Sequence, residues 1–156
     1  MVDGPGVVRA EFIAGNMDPV ASCTFCAVVD GSVAAEVVLD DDGVVAFLDH
    51  RPVFKGHVLV VPRIHVVTLA DLPTAAVGPF FERVQRVAVA VQAGLGADGS
   101  FVAMNNVVSQ SVAHLHVHIV PRRRKDGLRG FFWPRVRYDG PADMADVAER
   151  IRAHLT

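Results

Sequence analysis

From residue 35 onward, short apolar runs alternate with clusters of Asp, Gly and Pro. Residues 35–39 are largely apolar and β-branched, Asp40, Asp41, Asp42 and Gly43 form a turn cluster, and residues 44–48 are a second apolar run. Two such runs joined by a turn cluster predict a β-hairpin. Residues 49–56 contain Pro52 and Gly56 and predict a loop, after which HVLVV at 57–61 runs up to Pro62. A continuous apolar strand of this kind is expected to be covered on both faces. The period then changes. Val77, Phe80, Phe81, Val84, Val87, Val91 and Leu95 recur at spacings of three and four, with Pro73 suited to a first turn and Gly96 to a C-terminal cap, so one long helix is expected over 73–95. Residues 101–104 and 113–120 are the remaining strand candidates, the second expected to stop at Pro121. A polar loop, an aromatic patch at Phe131, Phe132 and Trp133 and a short helix over 142–153 complete the chain. Residues 1–22 lack periodicity and read as a flexible arm ahead of a single domain over 23–156. An antiparallel sheet with one long helix is an α+β fold.

Composition narrows the function classes. At 156 residues and 51% apolar content, one core can form without disulfide staples. Fifteen Lys and Arg against 17 Asp and Glu leave a net charge of -2, so no global positive field exists to hold nucleic acid or an anionic membrane. The apolar stretches are far below the roughly 20 residues needed to cross a bilayer. The start of the chain lacks the pattern of a secretory signal and both cysteines lie in one CxxC, which suits a reducing compartment and predicts a cytoplasmic protein.

The chemistry concentrates in residues 114–119. His114, His116 and His118 alternate with Leu115, Val117 and Ile119, and on a strand residues two apart share a face, roughly 6 to 7 Å apart. Three imidazoles on one face, with aliphatics anchoring the other in the core, are an unusual use of a strand surface, where Thr, Lys or Glu are commoner. A neutral imidazole is a nitrogen nucleophile near neutral pH and can displace a leaving group from phosphorus. Its second nitrogen must then donate to a fixed acceptor, commonly a backbone carbonyl, so that the attacking nitrogen presents its lone pair.

The run HLHVHIV resembles the signature of the histidine triad nucleotide-binding hydrolases, HxHxH followed by two apolar residues. DHRPVFKGHVLVVPRIH, residues 49–65, is similar to the family's upstream loop and strand, and CTFC, residues 23–26, resembles the zinc-binding start of its bacterial branch. The resemblance implies that His116 is the nucleophile, that His118 donates to the phosphate or bridging atom, and that His57 completes the phosphate side. Histidine at the third triad position fits hydrolases, since related nucleotidyl transferases carry glutamine there. Asp49 is implied to bind the ribose hydroxyls, a role for which a carboxylate has the right acceptors; capping of loop amides is the alternative. Asn105 or Asn106, Gln110 and Ser111 are implied as further nucleotide ligands. Relatives usually carry a glycine-containing loop here, whereas NNVVSQ is about two residues shorter and has no glycine to let backbone amides approach a phosphate.

Cys23 and Cys26 offer two soft ligands, and the resemblance completes a Cys2His2 set with His65 and His114, for a structural zinc with no open position. A dithiol redox pair or unligated thiols are the alternatives, the first disfavoured because no parallel βαβ unit surrounds CTFC. The family pairs through its long helix and a sheet edge into a ten-stranded sheet, so a homodimer is implied. Phe131, Phe132 and Trp133 would pack near the partner's site or cover their own core. Arg122, Arg123, Arg124 and Lys125 either meet extra phosphates or form a solvated loop. The implied function is hydrolysis of purine nucleoside 5′-phosphoramidates, or of nucleoside phosphate esters and anhydrides, through a nucleotidyl-histidine. The alternatives are a nucleotide-binding module with little turnover, a dinucleoside polyphosphate hydrolase, and a metal enzyme in which HxHxH holds a catalytic ion.

Overall fold

A computed structural model describes residues 22–128 and 138–154. Residues 1–21 of the arm and the aromatic patch at Phe131, Phe132 and Trp133 lie outside the described residues. Five strands form one antiparallel sheet: β1 (Val37–Asp40), β2 (Val44–Leu48), β3 (Val58–Pro62), β4 (Gly99–Ala103) and β5 (Val117–Arg122), in the order β1-β2-β3-β5-β4. Helix α1 (Thr24–Val29) precedes the sheet and α2 (Thr74–Gly94) joins β3 to β4. The chain divides into two compact units, 1–124 and 125–156. The second contains α3 (Pro141–Arg152), with Pro141 in its first turn as its fixed φ favours.

Period-two alternation sorts the sheet residues onto two faces. Val44, Ala46, Val58, Val60, Val117 and Ile119 pack with Phe80, Val84, Val87 and Val91 of α2. Val45, Phe47, Leu59 and Val61 point the other way and pack with Phe25 and Val28 of α1. Every residue of β3 is buried for this reason, as the unbroken HVLVV run predicts. Pro73 caps α2 rather than entering it, and Gly96 takes the left-handed conformation (φ +58) one residue beyond the C-cap Leu95. Asp41 closes the β1–β2 turn by accepting from the amides of Gly43 and Val44 at 2.9 and 3.0 Å.

One sequence expectation is corrected and one element was not foreseen. Pro121 does not end the last strand: β5 continues to Arg122, and Pro121 pairs in register with Ser100 of β4. The missing amide is tolerated because pairing with β3 has already ended at Val58 and Ile119. Secondly, the helix α1 carries no amphipathic period long enough to predict it. It is six residues long and begins at Cys23, whose sulfur accepts from the Cys26 amide at 3.5 Å.

Candidate active site

The three triad histidines face one side, as alternation predicts, but they do not all lie within the strand. Regular pairing starts at Val117, so His114 and His116 belong to the segment leading into β5 and only His118 lies within it. Leu115, Val117 and Ile119 still share the α2 core, which turns the three imidazoles to the α1 side. Their rings then diverge. His114 leaves the row: its Nε2 donates to the Pro62 carbonyl at 2.9 Å and its Nδ1 faces Cys23 and Cys26. His116 and His118 stay together with ring centroids 4.9 Å apart, closer than an ideal strand spacing.

Hydrogen bonds define which nitrogen of each ring carries the proton. His116 Nδ1 donates to the carbonyl of His114 at 2.6 Å, leaving Nε2 as a lone pair. The Val53 amide donates to His57 Nδ1 at 3.3 Å, so His57 carries its proton on Nε2 and donates it to His118 Nδ1, 3.0 Å away. His118 in turn holds its proton on Nε2. Burial keeps the His57 and His118 rings neutral. It lowers the pKa of His57, against the opposing charge of Asp49 at 3.4 Å, and His116 lowers it further. The His118 pKa is pushed down to about 4 by burial, then by His116 and His57, with Asp49 acting weakly in the other direction. Gly56 sets up this row: its φ of +95 reverses the chain just before His57, and a Cβ there would run into Leu95.

His116 and His118 open onto a cleft of about 1120 Å³, whose polar side also contains Asp49 and Ser111. Phe25, Val28, Phe47 and Leu59 form an apolar wall of the same cleft. Phe25 packs edge-on to His116 at 5.1 Å and to Phe47 at 5.5 Å. Sequence reading missed this wall. Phe47 and Leu59 were reachable from strand alternation, because each lies on the strand face opposite the α2 contacts; Phe25 was not, because α1 was not foreseen. Asp49 Oδ1 accepts from the Arg51 amide at 2.8 Å, the loop-capping alternative, and Asp49 also lines the cleft.

Asn105 and Gln110 are placed differently from Ser111. The Asn105 side chain donates to the Ser109 carbonyl, while Gln110 donates to the Val67 carbonyl at 2.6 Å and accepts from the Val107 amide. Both brace the loop and neither lines the cleft. This loop does without glycine by bending non-glycine residues: Val107 and Ser109 have φ of +67 and +62. A left-handed conformation costs an ordinary residue roughly 1–2 kcal/mol, and a β-branched one crowds it further. Val107 is also exposed, so Val107→Gly loses little packing. It is expected to raise the unfolding free energy by about 1 kcal/mol; urea melts of the two proteins that coincide would contradict this. Among the basic residues, Arg123 donates to the carbonyls of Leu95 and Gly96 and so caps the C-terminal end of α2.

Cys23, Cys26, His65 and His114 converge, all four ligand atoms lying within 4.8 Å of one another. The sulfur of Cys26 is 3.2 Å from His65 Nδ1 and 3.5 Å from His114 Nδ1. With His114 Nε2 committed to Pro62, Nδ1 presents its lone pair to the sulfurs, the orientation a second-shell acceptor gives a metal-bound imidazole. Two soft sulfurs and two imidazoles at these separations suit tetrahedral zinc. HxHxH itself does not converge on one ion, because His114 is drawn away to the cysteines. The group Asp49, His57 and His118 is close enough to hold a cation, but its two imidazoles already bond each other directly.

The chain is similar to known proteins. The protein is 41% identical over 107 residues to a HIT-like protein of Methanocaldococcus jannaschii, covering 67% of this chain and 82% of the other. It is 31% identical over 136 residues to the adenosine 5′-monophosphoramidase hnt1 of Schizosaccharomyces pombe, covering 86% and 98%. The crystal structure of a Zn-bound histidine triad family protein from Mycobacterium smegmatis matches with a TM-score of 0.66 and 37% identity, over 86% of this chain and 99% of that one. The family model for the HIT domain matches residues 30–125, from the end of α1 through the whole sheet and the triad to just beyond β5. With the sheet order, the row of imidazoles and this match in agreement, the chain belongs to the HIT domain family.

Proposed function

We propose that the protein hydrolyses purine nucleoside 5′-phosphoramidates, or nucleoside phosphate esters and anhydrides, through a nucleotidyl intermediate on His116. The observation that carries this reading is the 2.6 Å hydrogen bond from His116 Nδ1 to the His114 carbonyl. It fixes the tautomer whose Nε2 lone pair can attack phosphorus, on a ring that opens into a cleft large enough for a mononucleotide. The base would lie against Phe25, Phe47 and Leu59, with Asp49 accepting from the ribose hydroxyls and Ser111 near the phosphate.

In the first step His116 Nε2 bonds to phosphorus as the phosphorus–nitrogen bond to the leaving amine breaks. The amine leaves carrying a proton taken up from solvent on the phosphoramidate nitrogen, while His118 Nε2–H donates a hydrogen bond to the phosphate, its ring held by His57 at Nδ1. In the second step water attacks phosphorus as the phosphorus–Nε2 bond to His116 breaks, the water's proton passes to solvent, and the nucleoside monophosphate is released. Cys23, Cys26, His65 and His114 would hold zinc, which supplies a structural crosslink in this role. A reducing cytoplasmic setting would keep the two thiols available for it. The S. pombe relative named as an adenosine 5′-monophosphoramidase supports this substrate class.

Adenosine 5′-phosphoramidate is the substrate that tests the reading. Purified protein is expected to release ammonia and AMP from it, and acid-stable labelling is not expected because a phosphohistidine-type bond is acid-labile. AMP that binds while no phosphoramidate, ester or anhydride turns over would leave only a binding module. The assembly part of the reading is a homodimer: among the described residues β4 pairs only with β5, and a sheet edge of this kind is open to a second copy. A solution mass of one 16.7 kDa chain at micromolar concentration would contradict it.

A further inference from the structure

Helix α1 joins two kinds of chemistry within one turn. Cys23 and Cys26 turn their sulfurs toward His65 and His114, at Sγ–Nδ1 separations of 3.2–3.5 Å. Phe25, between them in sequence, instead packs against His116 and forms part of the cleft wall. A helix of six residues has too few internal hydrogen bonds to hold itself in place, so its position depends on its anchors. Two of these are the buried side chains of Phe25 and Val28; the others are the two cysteines. A second link runs through the backbone. The His114 ring faces the sulfurs through Nδ1, while its carbonyl accepts the Nδ1 proton of His116.

From this juxtaposition we infer that metal occupancy at Cys23, Cys26, His65 and His114 sets both nucleotide affinity and the orientation of His116, through Phe25 on α1 and through the His114 carbonyl. Phe25 is thereby an affinity residue. It reaches the site from the metal-anchored helix, and His114 serves the cleft with its backbone while its side chain serves the metal cluster. The inference rests on the reading of the cleft as a nucleotide site. The ion takes no part in bond making: filling the cluster holds α1 against the sheet and removes freedom from the segment that carries His116. Losses of outer-shell support of this kind typically cost 10–100-fold in affinity or activity, by rough convention.

The test uses AMP as the probe on zinc-loaded, chelator-stripped and zinc-restored protein. Amide hydrogen exchange over 24–29 and the ¹⁵N shifts of the His116 ring are recorded alongside calorimetric titration. Stripping is expected to weaken AMP binding roughly tenfold, to speed exchange across α1 and to mix the His116 tautomers, all reversed by zinc. His65→Asn, which removes a ligand that does not line the cleft, should reproduce the affinity loss in a chain that keeps its far-ultraviolet spectrum. Phe25→Leu, retaining apolar bulk but not the ring, should still bind zinc and should weaken AMP with the His116 tautomer unchanged. Equal AMP affinity and equal α1 exchange in loaded and stripped protein would overturn the inference while leaving the nucleotide site intact. Absence of AMP binding to the zinc-loaded protein would instead overturn the nucleotide reading, and the inference with it.

Discussion

Replacing His116 by asparagine is expected to reduce phosphoramidate turnover by about four orders of magnitude or more, while AMP binding changes little. Asparagine is the informative choice. His116 is only 1% exposed, so His116→Ala would leave a void and add a folding defect to the chemical one. The asparagine side-chain amide can still donate to the His114 carbonyl, preserving the bond that now orients the ring, but it has no lone pair of comparable nucleophilicity on the cleft side. A complementary result is expected from His116→Gly, in which the missing ring leaves space for free imidazole. Added imidazole should restore part of the turnover and yield a nucleotidyl-imidazole in solution. Wild-type rates in His116→Asn would remove the covalent mechanism altogether. Loss of AMP binding in that variant would mean that His116 shapes the cleft more than it reacts in it.

Much of this arrangement was legible in the chain because burial and alternation carry it. HVLVV could only be a strand enclosed by two layers, and Leu115, Val117 and Ile119 had to face the core, which fixed the side to which the imidazoles turn. What alternation could not show was that His114 and His116 precede regular pairing. Strand spacing therefore overstated the distance between the rings and hid the local bend in which the carbonyl of one residue receives the proton of the ring two residues on. Long-range partners were harder still. The acceptance of His57 Nε2–H by His118, 61 residues away, depends on Val53 occupying the other nitrogen, and no spacing rule encodes that. The NNVVSQ loop marks a different limit. Its missing glycines suggested a reshaped loop, but the backbone adopts left-handed geometry at Val107 and Ser109 regardless, held by the hydrogen bonds of Asn105, Asn106 and Gln110. Here tertiary bonding outweighs local preference. The cysteine pair was readable as a ligand set only through resemblance, since nothing in CTFC itself points to His65 or His114.

Acidification is expected to destabilise the protein through His118 by a larger amount than an ordinary surface histidine would allow. The folded-state pKa is pushed down to about 4, mainly by burial and then by His116 and His57, against about 6.5 in an unfolded chain. Because the folded value is the lower one, the unfolded chain binds the proton more readily, and stability falls as pH drops from 6.5 toward 4 and is fully regained above 6.5. At about 1.4 kcal/mol for each tenfold in proton affinity, the fall amounts to about 3 kcal/mol. The remaining carboxylates and the metal ligands also respond to acid, so the measurement is a comparison with His118→Asn. Its side-chain oxygen can still accept from His57 Nε2, and it has nothing to protonate in this range. Urea unfolding at pH 7 and at pH 4.5 should show the wild type losing more stability than the variant, by at least half of that figure. Parallel losses in the two proteins would mean that His118 is more solvated than its place beside His57 and His116 implies. The same depressed pKa predicts that turnover stays level from pH 7 down to about 5 as far as His118 is concerned, so an acid limb near 6.5 that disappears in a conservative variant would reassign the titrating proton to another ring.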